Sequence, residues 1–302
     1  MALGYGRGGG AAEITVDRGA CTACGLCVTV CKGGPIALVN GAIEIDNDRS
    51  LGCFACGQCI AVCPKDCIAV RGRDLVPEDF FEAPAPERRA GYEALLALVQ
   101  ARRSTRDFKD REVEPEIIGK IVKAAATAPM GIPPSEVGLV VFAGRAKVRA
   151  FRDELLRAGK AMRWFFSPFM MLIMRPFMGK EAWIATKIFV RPVLDLYIET
   201  DKAGLDTFFY DAPLAIHFYG TPWADAADPV IAATYATLAA ESLGLGSCML
   251  GFPGPLLKNS RKLRRKYNLP DRLQPGIVVI FGYPAIKYRK AVTRRFAEVH
   301  RL

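Results

Sequence analysis

The chain has 302 residues, half of them apolar, and a formal net charge of +10. That length accommodates one small and one medium domain, each with its own core. The basic balance suits a phosphate-bearing ligand, an acidic protein partner or an anionic membrane surface. No helix-turn-helix, zinc-finger or RNA-binding signature accompanies it, so no nucleic-acid partner is expected.

Residues 1–12 are glycine-rich, carry no apolar signal segment and are expected to form a flexible tail. A cytoplasmic location is expected. Ile14 to Asp17 reads as a short strand. Eight of the ten cysteines then fall in two matching runs. The first is Cys21-x-x-Cys24-Gly25-x-Cys27-x-x-x-Cys31, and the second is Cys53-x-x-Cys56-Gly57-x-Cys59-x-x-x-Cys63-Pro64. Each cysteine of the second run lies 32 positions after its counterpart, and Ile36-Ala37 is echoed by Ile68-Ala69. This spacing argues for metal in a reducing compartment rather than for disulfides. Thiolates suit iron–sulfur clusters, and in the two-cluster spacing the fourth cysteine of each run crosses to the other cluster. One cluster is therefore assigned to Cys21, Cys24, Cys27 and Cys63, and the other to Cys53, Cys56, Cys59 and Cys31. A zinc site, the competing reading, would not need the third cysteine of each run, the crossing fourth or the repeat.

Val39 to Ile45 reads as a hairpin around Asn40-Gly41, and Ile68 to Val70 closes a small domain over 13–73. Residues 74–90 hold Pro77, Pro84 and Pro86 among clustered acids. They read as a linker without helix or strand. A second domain covers 91–302. Its first helix has an apolar stripe at Tyr92, Leu95, Leu96 and Val99, which marks one buried face. A second helix starts at Pro115, buries Ile117, Ile118, Ile121, Val122 and Ala125, and breaks at Pro129. Strands are expected at Val137–Phe142, Leu214–Tyr219 and Gly276–Phe281. Helices are expected at Pro229–Leu243, stopped by Gly244, and at Leu256–Tyr267. No strand is followed by G-x-G-x-x-G, which argues against a dinucleotide-binding Rossmann domain.

Arg102, Arg103, Ser104 and Arg106 gather three guanidiniums and a hydroxyl just past the first helix. The pattern reads either as a phosphate clamp or as a solvated basic patch. His217 lies in a strand pattern and reads as a satisfied core residue. Cys67 reads as packing, Cys248 as a small buried hydrophobe, and Tyr210 and Asp211 stay undecided. No Ser-His-Asp or histidine metal site can be assembled, which disfavours hydrolysis.

The cysteine segment resembles bacterial two-[4Fe–4S] ferredoxins over about 60 residues, with Lys32 where that family has proline. Residues 91–302 resemble the nitroreductase family of FMN enzymes, block by block. The opening R-R-S-x-R-x-F block is matched by Arg102, Arg103, Ser104, Arg106 and Phe108. Ala125, Ala126, Ala128 and Pro129 match an alanine–proline block. Ala240 to Cys248 resembles A-x-x-L-G-L-G-S, and Phe281-Gly282-Tyr283-Pro284 resembles a terminal G-Y-P.

The resemblance implies an α+β protein. In it, a two-cluster ferredoxin-like domain precedes an α/β sandwich with a central, mostly antiparallel sheet. It also implies FMN bound by Arg102, Arg103, Ser104, Arg106, Pro129, Met130, Gly131, Leu250, Gly251, Arg294 and Arg295, at the interface of a homodimer. The family's flavin-contacting asparagine falls at Pro133, which leaves its role to backbone groups of residues 130–132 or to Ser135.

The implied activity passes electrons from two [4Fe–4S] clusters to FMN and on to an apolar, electron-poor nitro, quinone or unsaturated substrate, with no obligatory protein acid. An acidic ferredoxin or flavodoxin, or NAD(P)H, is the expected donor. The alternative is an electron-transfer or membrane-associated partner subunit without a substrate of its own. Residues 160–208 are apolar and basic and have no counterpart in compact family members. They read as a lid over the flavin, a peripheral membrane contact, or core and dimer surface.

Overall fold

The structure, a computed structural model, describes residues 9, 10 and 12–302. Most of the glycine-rich tail lies outside the described residues. Ala12, assigned to it, is instead buried, and its carbonyl accepts a hydrogen bond from Asn47. The chain divides into two compact units. The first runs to Ala90 and takes in Pro129–Val137 and Gly220–Asp228; the second holds the rest.

In the first unit, β1 (Glu13–Val16) pairs antiparallel with β4 (Ile68–Arg71), and β2 (Ile36–Val39) with β3 (Ala42–Ile45). The β2–β3 turn is Asn40-Gly41, both left-handed, as a two-residue hairpin of this sequence requires. Two short helices, α1 (Leu26–Val30) and α2 (Gln58–Ala61), follow the glycines of the cysteine runs. Ile14, Ile36, Ile43, Ile68 and Val70 form the core beneath the cysteines. Residues 74–90 are not wholly irregular. They contain single 3₁₀ turns at Pro77–Asp79 and Pro86–Arg88, each opened by proline, whose fixed φ suits a first turn.

The second unit is built on a four-stranded sheet with order β5-β6-β8-β7. Its strands are β5 (Val137–Ala143), β6 (Leu214–Gly220), β7 (Gly246–Leu250) and β8 (Gln274–Gly282). β7 and β8 pair antiparallel, with Cys248 opposite Ile280. β7 was not anticipated, being five residues long and opened by glycine. Helices α3 (Tyr92–Ala101), α4 (Pro115–Ala125), α5 (Arg145–Met162), α6 (Pro168–Met174), α7 (Lys180–Ala185), α8 (Arg191–Lys202) and α9 (Asp228–Ser242) follow in chain order. The helix expected over Leu256–Tyr267 is two: α10 (Pro253–Asn259) and α11 (Arg261–Lys266). Ser260 separates them because its hydroxyl caps the second, accepting from Leu263 N.

The core stacks Phe142 on Phe151 at 3.9 Å, with Phe209 and Tyr267 edge-on. Each such ring contributes roughly 1.5–3 kcal/mol by burial. His217 is 1% exposed and bonds the Pro275 carbonyl at 3.0 Å. Burial lowers it to about 4, so it is a neutral core residue. One expectation fails. The stripe on α3 is exposed, with Tyr92 at 71%, Leu95 at 48% and Val99 at 40%. Periodicity identifies an apolar face, not what covers it.

Candidate functional site

The repeat of the cysteine runs is a repeat of backbone shape. Ala23 and Ala55 are both left-handed, and so are Gly25 and Gly57. In each run this turn aims an amide at sulfur: Ala23 N donates to Cys21 Sγ and Ala55 N to Cys53 Sγ, both at 3.4 Å. Successive amides turned inward form a concavity suited to negative charge.

The structure gathers the thiols in two groups. Cys21, Cys24, Cys27 and Cys63 line one space, walled by Val16, Ile43 and Ile68. Cys31, Cys53, Cys56 and Cys59 form the second set. Burial pushes the Cys59 thiol up to about 12, and Cys53, Cys31 and Cys56 push it the same way. Burial likewise raises Cys27 and Cys53. Ligation of these thiols therefore releases their protons. Among the described residues no three cysteine, histidine or carboxylate groups converge to hold one ion. Thiols ringed around a space suit a four-iron cube, which presents metal at four corners, better than a single zinc.

Cys67 is more than packing. Its Sγ lies 3.4 Å from Cys63 Sγ, and it lines the first set's space. Arg73, 6% exposed, belongs to the second set's surroundings: its charge acts to lower the Cys53 thiol, against burial. Its Nη2 donates to the Pro133 carbonyl at 3.1 Å. Gly131 N donates to Asp228 Oδ2 at 3.4 Å, and the Glu136 carboxylate accepts from the Thr221 hydroxyl. Arg73, Gly131, Glu136 and Asp228 line a polar cavity of about 360 Å³. Pro129, Met130 and Gly131, expected at the flavin, thus belong to the first unit.

The second unit holds an apolar cavity of about 600 Å³. Arg106, Tyr210, Cys248, Leu250 and Gly251 line one part; Phe166, Phe189, Val193 and Tyr197 line another. The segment carrying the arginines is extended, with Ser104 bridged to Ser247 and Thr105 N bonded to the Ser247 carbonyl at 2.9 Å. Side chains on extended chain alternate. Accordingly Ser104 and Arg106 approach Cys248. Arg103 and Thr105 line a different cleft of about 530 Å³, where Arg103 sits over the Tyr288 ring at 5.6 Å. Arg102 closes α3 through its amide and lies near Glu241, whose carboxyl burial raises. Arg294 and Arg295 lie exposed on the segment after β8.

Tyr210 and Asp211, undecided from sequence, take separate roles. Both are left-handed, and the turn is fixed by the Asp206 carboxylate, which accepts from the amides of Phe208, Phe209 and Asp211. Asp211 then pairs with Arg149 through both oxygens, at 2.6 and 2.9 Å. Tyr210 lines the cavity with the Arg106 guanidinium 5.7 Å from its ring. Cys248 is 2% exposed, and burial raises its thiol, so it lines the cavity as a neutral group. Tyr197 was missed; burial in the cavity wall pushes its hydroxyl up to about 12. The terminal G-Y-P block is clasped to α4: Tyr283 donates to Glu114 at 2.6 Å, and Arg111 bonds the same carboxylate at 2.6 Å. These bonds hold Glu114 down at about 2.

Four thiols gathered twice, and an apolar cavity beside an extended arginine-bearing segment, are features that suit an oxidoreductase. Residues 99–283 match the model of the nitroreductase family, and residues 20–68 match that of the 4Fe–4S dicluster domain. The chain belongs to the nitroreductase family and carries a ferredoxin-like domain before it. It is 27% identical over 197 residues to a putative NADH dehydrogenase/NAD(P)H nitroreductase of Methanothermobacter thermautotrophicus, covering 63% of this chain and 78% of that one. Among solved structures it is similar to a nitroreductase with bound FMN from Bacteroides fragilis. The TM-score is 0.51 and the identity 19%, over 70% of this chain and 100% of that one. A nitroreductase with bound FMN from Desulfitobacterium hafniense gives a TM-score of 0.47 at 20% identity, over 68% of this chain and 97% of that one.

Proposed function

We propose that this oxidoreductase passes electrons from two [4Fe–4S] clusters to FMN and on to an apolar, electron-poor substrate. One observation carries the reading. A chain with two complete four-thiol sets also holds an apolar cavity of about 600 Å³ with a single arginine at its wall. The relatives' names and the bound FMN of the Bacteroides fragilis enzyme support it. When bound, the clusters supply single electrons and FMN supplies two-electron reduction.

The chain's own residues bind and orient. Arg106 presents a positive charge at the cavity wall, and Ser104 stands beside Cys248 of the same wall. Leu250 and Gly251 form its floor, and a Cβ built at Gly251 would meet nothing within 4 Å, so a planar group can approach the backbone there. Phe166, Phe189 and Val193 exclude water and select for apolar substrates. Tyr197 and Tyr210, held neutral by burial, line the site without a charge that would repel an electron-rich ring. Among the described residues, neither histidine lines the cavity, and the substrate's protons come from water. The donor is a reduced ferredoxin or flavodoxin, drawn by the basic surface, with NAD(P)H as the rival.

Anaerobic purification with assay of iron, sulfide and flavin tests this reading. About eight irons and one FMN per chain are expected. Clusters without flavin would overturn the assignment of the cavity.

A further inference from the structure

The stretch from Arg163 to Val190 is built inside out. It is rich in large apolar side chains, yet only Met171 within it is buried. Phe169 is 72% exposed, Leu172 66%, Phe177 88%, Ile188 68% and Phe189 65%. Its cations sort into two groups. Arg163 is neutralised by Asp195 at 2.8 Å, from α8 beneath it. Arg175 and Lys187 instead flank the Trp183 ring, at 5.4 and 5.2 Å, with Lys180 nearby on the same short helix. Glu181 is the one acid in the stretch. Exposed phenylalanine and leucine, a tryptophan clasped by two cations, and a net positive charge are the chemistry of a helix lying in a bilayer interface. No helix among the described residues is long and apolar enough to cross a membrane. α6 has seven residues, and α7 continues through a π-helical stretch, Thr186–Val190, into α8.

We propose that residues 163–190 seat the protein on an anionic membrane surface, with Phe169, Leu172 and Phe177 entering the acyl boundary and Arg175, Lys180 and Lys187 facing lipid phosphates. Charge complementarity selects this occupant over a second copy, whose same face would bring like charges together. The seat also adjoins the cavity, because Phe166, Phe189 and Val190 form part of its wall. This extends the proposed function, on which it rests only for the consequence that a lipid-soluble acceptor reaches the cavity from the membrane side.

The test is flotation of the full-length holoprotein with phosphatidylcholine vesicles and with vesicles containing 30% phosphatidylglycerol, at low salt and at 0.5 M NaCl. The account expects binding to the anionic vesicles alone, weakened by salt. Reversing Lys180 and Lys187 (K180E, K187E) lowers the partition by roughly fivefold or more per side chain. F169S/F177S abolishes flotation while FMN and iron contents and the thermal transition stay unchanged, since both side chains are exposed. No binding to either vesicle type, or equal binding to both, overturns the proposal, and a fall in solution mass of F169S/F177S with no vesicle binding by the parent assigns the face to a second copy. Because flotation is read without turnover, its failure leaves the flavin assignment standing, and a flavin-free protein that floats leaves the membrane seat standing.

Discussion

The two cysteine runs share a backbone and differ in what surrounds it. Both use a left-handed alanine and a left-handed glycine to turn an amide onto sulfur. Around the first set stands a third-party thiol, Cys67. Around the second stand a buried cation, Arg73, and an aromatic ring, Phe80, packed over Gly57. Ligation follows from what repeats, and cluster potential follows from what does not. Hydrogen bonds to sulfur, nearby charge and solvent access set an iron–sulfur potential.

The largest expected effect breaks the runs apart. Cys63→Ala removes the same cluster as Cys21→Ala, although Cys63 lies in the second run. Each variant retains about four irons and one cluster signal. Iron assay and electron paramagnetic resonance of the two variants check this; different residual signals would refute the crossover. Next is the glycine pair. A Cβ at Gly25 meets only Leu38 at 4.0 Å, whereas one at Gly57 would stand 2.4 Å from the Phe80 ring. Gly25→Ala costs about 1 kcal/mol for its left-handed backbone, and Gly57→Ala costs a further 1–3 kcal/mol for overpacking. Denaturant unfolding of the holoprotein measures the difference, and Phe80→Ala in the Gly57→Ala background restores most of it.

A smaller effect separates the potentials. Arg73→Gln removes a positive charge near Cys53 and lowers the second cluster by roughly 50 mV, the equivalent of about 1 kcal/mol at an effective dielectric near 20. The first cluster stays fixed in the same titration. Smallest is Cys67→Ala. It keeps all the iron and lowers only the first cluster, because the neutral Cys67 thiol no longer donates toward the Cys63 sulfur. Equal shifts in both clusters would erase the distinction between their surroundings.

The same contrast explains what the sequence disclosed. The repeat of the cysteine runs and the Asn40-Gly41 hairpin were legible because each is a local rule about spacing or φ. Arg73 was not, since it approaches Cys53 through the fold. The arginine block was legible as a motif but not as a geometry. Alternation along an extended segment sends Arg103 to one cleft and Arg106 to another. Tyr210 escaped because a left-handed tyrosine, imposed by Asp206, has no sequence mark of its own. The α3 stripe misled because amphipathic period gives a face and not its neighbour. Ser260 misled because a polar residue in a helical pattern caps a new helix as readily as it continues an old one.

The most direct test of the relay is rapid mixing of the anaerobic holoprotein with reduced ferredoxin, followed at cluster and flavin wavelengths, in the parent chain and in Cys56→Ala. The account predicts that the clusters bleach before the flavin, and that flavin reduction slows at least a hundredfold when the second cluster is lost. Flavin reduction at an unchanged rate in Cys56→Ala would contradict it, and would leave the second cluster without a part in the reaction.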